Sequence, residues 1–252
     1  MRKLCLLAAL ISPMAMAQVL TVESHSLMRL PNTASTLQLE RLDVADNGTL
    51  LIPSNVTQLN VTELHLGRDA RIAIVPGEQS LQISVGHALL ASGSQITSRG
   101  APGTYLKAAR PGRNLNLRIV SLNAPELSVD ARGGDGAPGF VGLDGGNGQE
   151  PGCTWGSAGR GADGDNGGDG RAGAPGALVR LELPRDFAEQ SIKVQVEGGA
   201  GGLPGAGGKA GAGGKSKGCL VYRADGGKSG RAGDAGQPGP VGAPGSVTVQ
   251  RL

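Results

Sequence analysis

"GADGDNGGDGRAGAPG", residues 161–176, places glycine at 161, 164, 167, 170, 173 and 176. Glycine at every third position is what an extended, three-residue-per-turn helix requires where one edge packs too closely to admit a Cβ. The stretch therefore asks what it packs against: separate chains, a calcium ion, nothing at all, or other parts of its own chain.

Three further runs share the phase. One holds Gly133, Gly136, Gly139, Gly142, Gly145 and Gly148; another runs from Gly199 to Gly214; the last runs from Gly227 to Gly245. They come in pairs, each pair separated by a loop with one cysteine. A shift of 66 residues carries Gly133 to Gly199, Cys153 to Cys219 and Gly161 to Gly227, which marks an internal duplication. A flexible linker has no reason to keep phase, duplication and matched cysteines together. Collagen relies on long, proline-rich triplets in three chains, whereas these runs are short and proline is sparse outside the last. Runs that fold back within one chain, as a polyglycine II bundle of rods roughly 50 Å long, satisfy the pattern better. Charge points the same way. Residues 133–176 carry six acids against Arg160 and Arg171, −4, and residues 199–245 carry six bases against Asp225 and Asp234, +4. The aspartates of the opening stretch are expected to face the lysine-bearing second pair rather than calcium.

The first half of the chain has a different texture. In "LERLDVADNGTLLIP" (39–53), Leu39, Leu42, Val44, Leu50 and Ile52 recur 22 residues later as Val61, Leu64, Leu66, Ile72 and Ile74. A weaker third copy starts at Ile83 and includes Ile96. Short alternating strands at this period predict a β-solenoid, whose coils bury side chains by stacking, with an antiparallel sandwich as the rival. Strand-like segments from 114, from 177 and at 246–252 bracket the glycine pairs, so the solenoid is expected to continue to the C-terminal end. Residues 100–112 read as a shorter extension of the same kind. The expected fold is all-β: a β-solenoid-like domain over 18–130, then over 131–252 two inserted glycine-rich hairpins (133–176 and 199–245) joined by strands that continue the solenoid.

The phased triplets of 161–176 and of "GGKSGRAGDAGQPGPVGAPG" (226–245) resemble those of polyglycine II helix-bundle proteins such as the snow flea antifreeze protein and the tips of phage tail-fibre adhesins. They are similar, less specifically, to bacterial collagen-like sequences. The resemblance rests on periodicity. It implies a disulfide-aided bundle of glycine helices serving ice binding or receptor recognition.

"MRKLCLLAALISPMAMAQ" reads as a cleavable bacterial secretory signal over 1–17, with Gln18 the first mature residue. The expected location is secreted, periplasmic or cell-surface. Cleavage removes Cys5 and leaves Cys153 and Cys219, at equivalent tips, to form one disulfide. The formal charge of +3 drops to +1 without Arg2 and Lys3, which gives no reason to expect nucleic acid or an anionic membrane. No later segment approaches the length of a spanning helix. With aromatic residues at 2% of the chain, Tyr105, Trp155 and Tyr222, placed near loop ends, are the candidate partner contacts, although an apolar plug over the disulfide would account for them too.

Catalytic look-alikes do not hold. "GAGGKS" (211–216) lacks the first glycine of a phosphate loop, because position 209 is Lys209. Asp163, Asp165 and Asp169 do not keep the nine-residue period of calcium repeats. His25, His65 and His87 are far apart in sequence and suggest no metal set. No cofactor and no metal are expected. The functional expectation is a non-enzymatic structural or adhesive protein of the cell surface or extracellular matrix, binding a surface or matrix macromolecule, protein or polysaccharide. The alternative is ice binding, favoured by small residues before the glycines of the third run (Gly201, Pro204, Gly207, Ala210, Gly213). A secreted carbohydrate-active enzyme is the third reading.

Overall fold

Alternation of apolar and polar residues over Leu39–Ile74 forces every second side chain to the same side of a strand, so each short strand has one face to bury. In the computed structural model, which describes residues 18–252, these faces meet between two parallel sheets. The signal segment expected over 1–17 lies outside the described residues. The chain passes back and forth between the sheets. The first takes β1 (Val19–Val22), β3 (Thr36–Val44), β5 (Gln58–Leu66), β7 (Leu81–Leu90), β9 (Leu115–Asn123), β11 (Leu178–Leu183) and β15 (Ser246–Arg251). The second takes β2 (Leu27–Arg29), β4 (Thr49–Ile52), β6 (Arg71–Ile74), β8 (Gln95–Thr97), β10 (Leu127–Asp130) and β12 (Ile192–Gln195). The protein is all-β, with every pairing in these two sheets parallel.

Register stacks like on like. Leu39, Val61, Val85 and Ile119 are level across four neighbouring strands, as are Leu50, Ile72, Ile96 and Val129 in the other sheet. All eight are buried, and such ladders are how each strand removes its apolar face from water. The connections from the first sheet to the second are tight. His25, Asn47 and Asp69 occupy successive corners with φ of 55°, 58° and 54°, and Gly93 takes the fourth with φ 74°. A Cβ on Gly93 would meet an Asp69 carboxylate oxygen at 2.1 Å as well as being strained, so this corner calls for glycine.

The opposite connections, from the second sheet back to the first, lengthen along the chain. They are short at 53–57 and 75–80, then extend at 98–114, 131–177 and 196–245. All the glycine runs therefore leave from the same side of the stack. At their root stands Arg113, fully buried. It donates to the carbonyls of Val56 (2.6 Å), Gln79 (2.7 Å) and Pro53 (3.3 Å). Burial pulls its pKa down, and three carbonyl acceptors in place of a carboxylate keep it from being an unsatisfied charge. Beside it Asp130, also buried, accepts from Arg132 Nε (2.9 Å) and Nη2 (2.7 Å), fixing the point where the first long excursion departs.

The long excursions form four arms: A (133–148) and B (161–176), then C (199–214) and D (227–245). None contains regular strand, yet their backbones are tied at every third residue. Arm A donates from Gly136, Gly139, Gly142, Gly145 and Gly148 to arm C carbonyls at 2.8 Å, running parallel to it. Arm B donates in parallel to D through Gly161, Gly164 and onward, and antiparallel to A through Ala162, Asp165, Gly168, Arg171 and Ala174. Arm C donates to B, and D to C, both antiparallel. Arms B and C thus lie inside, each touching three others, with A and D outside.

Clearance, rather than backbone conformation, is what demands glycine here. Gly156, in a loop, is the one positive-φ glycine from 133 to 245. A Cβ on Gly205 would fall 1.8 Å from the Phe140 carbonyl oxygen, and one on Gly170 would fall 2.0 Å from that of Gly202. Arm C is pressed from two sides and carries a second glycine line: a Cβ on Gly201, Gly207 or Gly213 would come within 2.0 Å of an arm D carbonyl. These are three of the five small residues that favoured an ice-binding face, and their small size serves the C–D contact.

Candidate functional site: the disulfide-tied tip

Arms A and B are joined by residues 149–160, closed at the neck by Gly159 donating to Gln149 (2.8 Å). Arms C and D are joined by 215–226, where β13 (Lys217–Gly218) pairs antiparallel with β14 (Arg223–Ala224) and Cys219 N donates to Tyr222 O (2.8 Å). The expected disulfide links the two loops, Cys153 to Cys219, with the Cα atoms 5.7 Å apart. The Tyr222 hydroxyl crosses between them to the Cys153 carbonyl (2.6 Å), and Arg223 Nη2 donates to Ser216 Oγ (2.9 Å). The two loops are thereby one unit at the far end of the arms.

The apolar side chains there do not plug the disulfide. Trp155 is 89% exposed, Leu220 104%, Val221 89% and Tyr222 52%. Trp155 and Tyr222 share this tip. Tyr105 does not: it lies in the short 98–114 excursion and stacks on Phe140 of arm A, ring centroids 4.5 Å apart and planes 20° apart. Leu106, Val141 and Leu143, near the pair in sequence, are exposed as well. The structure adds Leu220 and Val221 to the tip. Their signal was in "CLVY", two branched apolar residues beside a cysteine in a polar loop, and a search guided by aromatic content passes over them.

The aspartates of arm B face the second pair, but through its backbone. Asp163 Oδ1 accepts from Arg231 N (2.7 Å), and Asp169 Oδ1 from Gln237 N (2.6 Å). Asn166 does the same for Asp234 N, while Asp135, Asp144 and Asn147 of arm A hold the amides of Ala200, Lys209 and Ala212. Since asparagine substitutes freely for aspartate in this series, the need is for an oxygen, not a charge. Among the described residues no ion pair joins 133–176 to 199–245; the two pairs lie together, as their opposite net charges favour, and side-chain oxygens bonded to backbone amides make the contacts.

Elsewhere, register brings together what sequence distance separates. His65 Nδ1 lies 3.0 Å from Asp43 Oδ1, with Arg41 Nε 2.8 Å from the same carboxylate and Glu63 at 3.8 Å from Arg41. This cluster links β3 to β5 on the outer face of the first sheet. Next to it runs a shallow groove lined by Gln38, Asn60, Ser84 and Arg118, amides, a hydroxyl and a guanidinium without a carboxylate pair. Among the described residues no three His, Cys, Asp or Glu side chains gather as a metal set, and no helix is long and apolar enough to cross a membrane. Compared with known proteins, the chain matches no family model, no curated protein and no solved structure.

Proposed function

We propose that the two-sheet stack is a β-solenoid whose last three coils send out glycine hairpins, and that the hairpins pack as a polyglycine II bundle holding an adhesive tip away from the solenoid. On this reading the protein is an exported, non-enzymatic structural or adhesive component of the cell surface or extracellular matrix. One observation carries it: arms that satisfy each other's backbone at every third residue end in a cross-linked loop pair with four exposed apolar side chains. A bundle bonded in this way is stiff, and exposed apolar side chains concentrated on one pair of tied loops mark an interaction site. The disulfide agrees with an oxidising location. Ice binding loses support, because Gly201, Gly207 and Gly213 are engaged with arm D.

Attachment of purified protein to envelope or matrix material, compared for wild type, Trp155→Ala and Leu220→Ala with unchanged circular dichroism, tests the reading. The variants are expected to lose most attachment; attachment at the wild-type level would remove the tip from the account.

A further inference from the structure

We infer that the surface the tip engages is an anionic lipid interface, into which Trp155, Leu220 and Val221 insert while lysine and arginine side chains hold the headgroups. This inference rests on the reading of the tip as a contact surface and narrows its partner.

Size is the first argument. A stable protein interface draws about 20 to 30 residues from each side, whereas the tip is two short loops whose outward apolar surface is Trp155, Leu220, Val221 and part of Tyr222. Shallow insertion at a bilayer surface asks for less: a few apolar side chains at the headgroup and acyl boundary, with cations beside them. Tryptophan and tyrosine also favour this boundary, because a mostly apolar ring carries a polar edge. Tyr222 is about half exposed, and its hydroxyl is held by the Cys153 carbonyl, which fixes its side chain at the tip.

Charge is the second argument. The whole mature chain has little net charge, but the tip is uneven. Residues 149–160 and 215–226 contain Arg160, Lys215, Lys217 and Arg223 against Glu150 and Asp225, four cations to two carboxylates, +2, or +1 once Arg160 is set against its partner in arm B. Arg160 is engaged by Asp163 of arm B. Lys215, Lys217 and Arg223 are exposed and pair with no carboxylate among the described residues. Unpaired cations flanking exposed apolar side chains complement an anionic headgroup layer. Presentation adds to size and charge. The backbone of 215–226 is fixed to 149–160 by the disulfide and the Tyr222 bond, so the inserting residues are held together before they meet the surface and little ordering entropy opposes insertion.

Trp155 is the chain's one tryptophan, so its emission reports on the tip alone. The full-length mature protein is mixed with vesicles of phosphatidylcholine containing phosphatidylglycerol, and with vesicles of phosphatidylcholine only. Expected are a shift of emission to shorter wavelength and quenching by brominated acyl chains with the anionic vesicles, both reduced by added salt. Leu220→Asp and the pair Lys215→Glu, Lys217→Glu are each expected to weaken vesicle partition about tenfold or more. These positions are exposed, so folding is preserved, which circular dichroism checks. Unshifted emission with anionic vesicles overturns the inference, as does partition that the tip variants do not change. The attachment assay repeated on delipidated matrix material separates the two claims. Tip-dependent attachment without vesicle binding assigns a protein or polysaccharide partner and overturns only the lipid inference. Attachment indifferent to the tip overturns the adhesive reading.

Discussion

Gly145 and Gly146 are adjacent, yet they stand in opposite situations. A Cβ on Gly145 would lie 2.1 Å from the Ala162 carbonyl oxygen, while nothing lies within 4 Å of one on Gly146. Gly205, inside the bundle, is tighter still at 1.8 Å from the Phe140 oxygen. Gly205→Ala is therefore expected to cost about 1–3 kcal/mol, since backbone rather than a flexible side chain must move aside. Gly146→Ala is expected to be neutral or slightly stabilising, because it only restricts the unfolded chain. Thermal melts of the two variants check this; equal behaviour would mean that period three has no steric meaning. The aspartates give a second residue-scale test. Asp163 accepts a backbone amide of arm D as Asn166 does, so Asp163→Asn should leave stability nearly unchanged and Asp163→Ala should cost roughly 1 kcal/mol. A large loss in Asp163→Asn, read by denaturant unfolding, would restore a role for the charge itself.

At the scale of the element, what matters is how each excursion is rooted. Asp130 is buried at the base of arm A. Burial works to raise its pKa, but the hydrogen bonds and charge of Arg132 more than offset this, and the pKa falls below 3.8. A carboxyl depressed in the folded state adds stability above its unfolded value and loses it as pH drops through the folded one. The root of the arms is therefore expected to loosen below about pH 3.8, and Asp130→Asn should lose that acid-sensitive step in melts recorded from pH 6 to pH 2. Elements differ in how far they could be read from sequence. The strands of 39–76 were legible because alternation and the 22-residue step coincide. The third repeat blurred because β7 stands 24 residues after β5, the extra length falling in the 75–80 connection. Arg113 was not legible at all. Between Gly112 and Asn114 it reads as an exposed loop residue, and it is buried because carbonyls of two earlier connections converge on it.

Across the whole molecule, the sequence carried the phase of the glycine runs and the pairing of Cys153 with Cys219, but not which arm would lie beside which. A period states how often close approach occurs and leaves the neighbour open. That is why the small residues of arm C could be read as a free face when they line the contact with arm D, and why opposite net charges could favour the two pairs lying together without revealing that side-chain oxygens hold backbone amides. Tip position follows from the same packing: four arms bonded along their length carry Trp155, Leu220, Val221 and Tyr222 to the end farthest from the sheets. In this packing the arms are folded against one another rather than disordered. Residue-resolved amide hydrogen exchange of the native protein tests it most directly. The account predicts slow exchange in arm A at Gly136, Gly139, Gly142, Gly145 and Gly148, whose amides are bonded to arm C, and fast exchange at the intervening Val141, Leu143 and Asp144. Uniformly fast exchange from 136 to 148, with the sheets protected, would contradict it.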